Sequence, residues 1–112
     1  MTNKELVLNF YRDVWNPHDK SLVPQYVRKD YVQHNPTVEQ GRDGLMKFLD
    51  HFFALQARHE ILLALEDGDL VAVYVNVSFA DGSRALVTDI YRVQDEMLAE
   101  HWDCLQVVAE DR

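Results

Sequence analysis

The apolar residues of this chain change period once, near residue 57, and that switch limits what it can fold into. Before it they recur at helical spacing: Leu6, Phe10, Tyr11 and Val14 in one segment, and Leu45, Phe48, Leu49, Phe52 and Phe53 at i, i+3, i+4, i+7 and i+8 in another. After it the period falls to two, and segments near 58–67, 70–79, 84–94 and 98–108 are rich in Val, Ile, Leu and Tyr, as strands are. Helices first and a meander after them define an α+β domain, with three N-terminal helices packed on a strongly curved antiparallel sheet. At 112 residues the chain supports one hydrophobic core, so residues 1–112 are read as a single domain.

Local signals place the elements. Thr2 and Glu5 form a capping-box pattern ahead of the first helix, which Asn16-Pro17 stops. A short second helix is expected from about Asp19, with Leu22, Val23, Tyr26 and Val27 as its stripe and Pro24 tolerated near the first turn. Tyr31 to His34 reads as extended, because Asn35 precedes Pro36. Asp67-Gly68-Asp69, Asp81-Gly82 and Gln94-Asp95-Glu96 are the hairpin connections.

Charge narrows the partners. Nineteen acidic residues against eleven basic ones leave a formal charge of -8, and no basic run interleaves with aromatics, so nucleic acid and anionic membranes are not expected partners. The N-terminus carries no cationic segment leading into an apolar stretch, and no apolar window is long enough to span a bilayer. The lone Cys104 can form neither an internal disulfide nor a cysteine zinc cluster and suits a reducing cytoplasm.

The strands carry the candidate chemistry. A two-residue turn at Asp81-Gly82 puts Tyr74 opposite Asp89, with Asn76, Val87 and Tyr91 on the same side. The other side is also apolar, and a second copy of the chain is the expected cover for it, giving a homodimer through the sheet. If Gln94-Asp95-Glu96 is a three-residue loop with a bulge, Asp89 lies across from Asp103 and Tyr91 across from His101; a two-residue turn would instead put Asp89 and Asp103 on opposite faces. Two opposed carboxylates in a dry cavity cannot both ionise cheaply, which suits one of them to general acid or base work. His101 shares a face with Asp103, and His34 is placed to look into the same cavity. The plainer reading is that these His and Asp residues satisfy one another structurally. His34, His101 and Asp103 could also make a two-His, one-carboxylate metal set, but no metal-binding motif supports it and no metal or organic cofactor is expected. His18, His51 and His59 read as surface or flanking residues, Cys104 as facing away from the cavity, and no nucleophile-elbow, Walker or dinucleotide motif is present.

Tyr31-Val32-Gln33-His34-Asn35-Pro36, Gly41 leading into the helix at Leu45 to Phe53, Asp89-Ile90-Tyr91-Arg92-Val93 and Glu100-His101-Trp102-Asp103-Cys104-Leu105-Gln106 together resemble the SnoaL-like branch of the nuclear transport factor 2-like superfamily, over nearly the whole chain. The resemblance implies a cone-shaped α+β barrel, helices closing a bent sheet around a pocket, and pairing of subunits through the sheet. It implies a polyketide-cyclase-like aldol closure without cofactor, with Asp103 in the place of the acid/base. Asp89 stands where those cyclases have a His and is similar to the oxyanion-side acid of the related ketosteroid isomerases, whose base before a proline is here the amide Asn35. The family's usual Gly before Met97 is Glu96.

The expected activity is proton transfer next to a carbonyl, in a cyclisation or isomerisation of a small apolar molecule. The expected catalytic residues are Asp103 as general acid/base, Asp89, which tunes it, and His101, which orients the substrate or stabilises the enolate oxygen; His34, Tyr74, Tyr11 and Asn76 are the expected substrate-binding residues. The alternatives are a pocket that binds a small molecule without catalysis and a dimerisation module.

Overall fold

The computed structural model describes residues 1–108. Helix α1 (Asn3–Phe10) starts where the Thr2 side chain accepts from the Glu5 N–H, as the capping pattern requires. Its final turn is wider than an α-helix. Residues Tyr11–Trp15 form a π turn, closed by the Asn16 N–H on the Tyr11 carbonyl at 2.9 Å. A 3-10 turn at Lys20–Leu22 then leads into the single turn α2 (Val23–Tyr26), with Pro24 in its first turn.

The second helix therefore ends one residue earlier than its apolar stripe suggested. Val27 opens β1 (Val27–Gln33) instead, fully buried, and pairs with Leu98. Helix α3 (Gly41–Phe52) runs into a short 3-10 turn and buries Leu45 and Leu49. Its Gly44 admits no side chain, since a Cβ there would lie 2.1 Å from the Glu39 carbonyl oxygen. Strands β2 (Arg58–Asp67), β3 (Leu70–Ser78), β4 (Arg84–Gln94) and β5 (Met97–Val108) follow the periodicity closely.

The sheet order is β1-β5-β4-β3-β2. The expected antiparallel sheet is mixed, because β1 pairs parallel to β5 and satisfies an edge that the four-strand meander would have left bare. It is strongly curved and does not close on itself. Its inner face meets the helices: Val71, Val73 and Val75 are at most 2% exposed, and each contributes about 1.5–2 kcal/mol of burial.

Two registers decide which side chains reach the interior. Strands β3 and β4 close at Ser78 and Arg84, with Phe79 N–H on the Ser83 carbonyl, so their loop has an odd number of residues, not the even number of an Asp81-Gly82 turn. Parity reverses, and Asp89 lies opposite Val73 while Tyr74 lies opposite Thr88. The β4–β5 connection is a two-residue turn, with Asp95 and Glu96 at φ 54° and 62°, the left-handed pair of a type I′ turn. Taken alone, that turn would separate the two acids. Arg92 pairs with Glu100 but Val93 with Leu98, so Ala99 is an unpaired bulge residue that restores the register. Beyond it Asp89 faces Asp103 and Tyr91 faces His101, as the three-residue reading required, although the extra residue sits in the strand and not in the turn.

Candidate active site

A cavity of about 120 Å³ lies between the inner face of the sheet, the π turn and α3. Trp15, Phe48, Phe52, Leu45 and Val38 supply apolar wall, while Gln33, Asn35, Asp89, His101 and Asp103 gather on the side formed by β1, β4 and β5. Among the described residues no Lys or Arg lines it.

The short segment after β1 fixes where the protons are. Asn35 Oδ1 accepts from the Thr37 backbone N–H at 2.9 Å and from the Thr37 hydroxyl at 2.7 Å, an Asx turn across Pro36. That pins the amide, so Nδ2 donates to the Asp103 carboxylate, 3.2 and 3.0 Å from its two oxygens. Gln33 Oε1 accepts from the Asn35 N–H at 3.1 Å, so His101 Nδ1, 2.8 Å from the same oxygen, must carry a proton. The Gln33 backbone is held in turn by the Gln40 side-chain amide, which donates to its carbonyl at 2.6 Å and accepts from its N–H at 2.8 Å.

With Nδ1 protonated, the 2.8 Å contact between His101 Nε2 and Asp89 Oδ1 holds one further proton. The pair is imidazolium with carboxylate or imidazole with carboxylic acid, and in both forms its net charge is zero. Asp89 Oδ2 accepts from the Tyr11 hydroxyl at 2.5 Å, and the Tyr91 hydroxyl, 2.7 Å from that of Tyr11, donates to it because the Tyr11 proton is already committed. Both Asp89 oxygens are therefore occupied. Asp103, 3.9 Å from His101 Nε2, is held among the described residues by Asn35 alone and keeps 21% of its side chain exposed.

Burial, reinforced by the charge of Asp89, holds the Tyr11, Tyr31 and Tyr91 hydroxyls well above the ordinary phenol value, so they act as donors near neutral pH. Tyr31, 3% exposed, lines the cavity with its ring stacked near His101, and among the described residues its hydroxyl has no hydrogen-bond partner.

Asp89, His101, Asp103 and Tyr11 thus come together. The other three candidates do not. His34 lies on the outer surface, 42% of its side chain exposed, with its ring stacked on Trp102 at 4.8 Å and its Nε2 2.6 Å from Glu100. Gln33 takes the inward position that His34 was expected to have. Tyr74 and Asn76 face outward because of the β3–β4 parity, and Asn76 Oδ1 accepts from Arg84 at 2.8 Å. Cys104 faces outward as expected.

His59, a surface or flanking residue by sequence, is instead a buried wall of the cavity, 9% exposed. Burial pushes its imidazole down to about 4, which keeps it neutral at physiological pH. The sequence held one signal for it: two residues into the period-two run, His59 falls on the same parity as the inward Ile61.

Donor atoms of Asp89, His101 and Asp103 lie within 4.8 Å of one another and could hold a divalent cation, a different set from the one built on His34. The same atoms also satisfy one another through the proton shared by His101 and Asp89.

A family model described as SnoaL-like domain matches residues 7–101. No curated protein sequence matches significantly. Among solved structures, IdmH from Streptomyces antibioticus superposes with a TM-score of 0.84 at 16% identity, covering 94% of this chain and 92% of that one. A SnoaL-like polyketide cyclase from Agrobacterium tumefaciens gives 0.82 at 16% identity, with 95% and 92% covered. An NTF2-like protein of unknown function from Cytophaga hutchinsonii gives 0.78 at 12% identity, with 95% and 91% covered. At these identities the likeness is one of fold.

Proposed function

Because the chain belongs to the SnoaL-like domain family, we propose that it is an acid/base catalyst of the cyclase or isomerase type, moving a proton next to a carbonyl of a small apolar molecule without a cofactor. The observation that carries this reading is the unequal treatment of two facing acids. Asp89 is saturated by Tyr11 and His101, whereas Asp103 is oriented by one amide and open to the cavity. An acid meant only to hold the fold would be enclosed as Asp89 is.

In the proposed step the Asp103 carboxylate removes a proton from the carbon beside the carbonyl, and the C–H pair moves to form an enolate. The Tyr31 hydroxyl, uncommitted among the described residues, is the donor available to the enolate oxygen. In a cyclisation the enolate carbon attacks a second carbonyl of the same molecule, the new C–C bond forms, and Asp103 returns its proton to the resulting alkoxide. In an isomerisation it returns the proton to a different carbon. The His101–Asp89 contact, 2.8 Å long, ties up the facing acid and leaves Asp103 as the carboxylate free to meet a substrate. Asn35 takes no proton and serves as the clamp on Asp103, a positioning role that fits an amide where isomerases have an acid.

The test is hydrogen exchange at carbon. Cyclohexanone incubated in D2O with the protein should exchange its α-protons faster than in buffer, and Asp103→Asn should lose about 10²–10⁴ of that acceleration while remaining folded. Equal exchange by the folded Asp103→Asn protein would reject the role of Asp103; a pocket that binds the ketone without accelerating exchange would favour the non-catalytic reading.

A further inference from the structure

His59 is a buried polar side chain of the cavity whose ring neither the fold nor the proposed chemistry uses. Its backbone is fixed from both sides by Asn16, which accepts from the His59 N–H at 2.7 Å and donates to its carbonyl at 3.0 Å, so the ring is carried on a rigid mount at the end of the π turn. Its imidazole has no hydrogen bond to protein among the described residues. Nδ1 is sealed in the wall, and the Trp15 Nε1–H, on a ring 5.1 Å away, is sealed and unpaired as well. Both atoms are closed off from the cavity and unpaired among the described residues, so the other ring nitrogen is the polar atom that His59 can offer to a molecule in the cavity. Tyr11 stands between this wall and the acids, its ring 5.6 Å from the imidazole and its hydroxyl on Asp89.

We propose that His59 is a second polar anchor for the substrate, and that the substrate is an uncharged single-ring or similarly small molecule with one oxygen at the Asp103 side and a hydroxyl or second carbonyl that meets the His59 ring nitrogen not sealed in the wall. The inference deepens the catalytic reading by naming the substrate class, and it rests on that reading only for the Asp103 end. Three observations limit the class. A cavity of about 120 Å³ is near the ~150 Å³ that holds one benzene ring, so a fused polycycle cannot be enclosed. Among the described residues the lining has two acids and no Lys or Arg, which disfavours a carboxylate or phosphate. The imidazole is neutral, held down to about 4 by burial, and its one accessible nitrogen offers an N–H or a lone pair according to the tautomer, which suits a carbonyl or a hydroxyl better than an anion.

The test compares cyclohexanone with 3- and 4-hydroxycyclohexanone by NMR titration of the whole chain. At least one hydroxyketone should bind about five- to tenfold more tightly than the plain ketone and shift the His59 ring ¹⁵N resonances, which the plain ketone leaves in place; His59→Phe should erase the preference. Equal affinities, unmoved His59 resonances, or a preference that survives in His59→Phe would overturn the anchor. The resonances are read in the unsubstituted protein, so the result does not depend on the variant folding. A preference that persists in Asp103→Asn when that variant also exchanges α-protons normally would remove the catalytic reading and leave the anchor standing. A missing preference with exchange still dependent on Asp103 would do the reverse.

Discussion

His59 should make the fold sensitive to mild acid in a way that one substitution removes. In the native state its imidazole is held down to about 4 by burial, whereas in the unfolded chain it returns to the ordinary value of 6.5. Between those values the unfolded chain binds a proton that the native protein does not, so stability falls as the pH is lowered through 6.5 towards 4 and is fully retained above that window. The whole interval corresponds to about 3 kcal/mol, and the part lost between pH 7.5 and pH 5 to about 2 kcal/mol. With a urea m-value of about 1.5 kcal/mol per molar, that is a midpoint roughly 1 M lower at pH 5. His59→Phe keeps a ring in the wall and has nothing to titrate. Urea unfolding at pH 7.5, 6.5, 5.5 and 5 should show the stability difference between the two proteins moving by about 2 kcal/mol in favour of the phenylalanine variant as the pH falls. Two curves that stay parallel across this range would refute the assignment of His59 as a buried neutral imidazole.

Other expectations follow from single contacts. Tyr11→Phe deprives Asp89 Oδ2 of its donor and the Tyr91 hydroxyl of its acceptor, both buried, and should cost about 1–3 kcal/mol in urea unfolding. Asn35→Ala frees the Asp103 carboxylate from its clamp and should lower kcat for α-proton exchange by about tenfold while KM changes little; a fall in affinity alone would mean that Asn35 binds substrate directly. Gly44→Ala should unfold or severely destabilise the protein, since its Cβ would meet the Glu39 carbonyl oxygen at 2.1 Å, and thermal denaturation will show this. The outward face of the sheet carries Leu63 and Leu65, 60% and 68% exposed, next to Tyr74 and Ala72, and we propose it as the surface that pairs two copies; sedimentation should give a dimer that Leu65→Lys converts to monomer, and a monomeric unsubstituted chain would dismiss the idea.

Much of the fold was legible because periodicity reports burial directly. The four long strands and α3 lie within a residue or two of where alternation and helical spacing placed them. Features decided at single residues escaped. Val27 sits on a helical stripe and also suits a strand, and only the open edge of β5 settles the choice. Loop parity between β3 and β4 is invisible to composition, and it alone moved Tyr74 and Asn76 to the outer face. Alternation in a short strand that ends at Gln33 does not say which of Gln33 and His34 points inward, and the pairing of Gln33 with His101 gives that position to the glutamine. Gln33 and Asn35 fix the Nδ1 hydrogen of His101 and the orientation of Asp103, and the Asn35-Pro36-Thr37 turn is their visible sign. The wide turn at Tyr11–Trp15, which brings Tyr11 and Trp15 to the cavity and Asn16 to His59, left no trace in the spacing.

The lone unpaired residue at Ala99 has a consequence for how this chain can change. Excising it would leave both neighbouring hairpin arms intact and every residue beyond it rotated to the other surface, with Trp102 and Cys104 turned inward and His101 and Asp103 delivered to solvent. Lengthening the tip by one residue would undo that inversion. A gain or loss of one residue here therefore keeps both acids in the interior only when a second change offsets it, and the alanine is less a defect in the ribbon than the switch that decides which side of it lines the cavity.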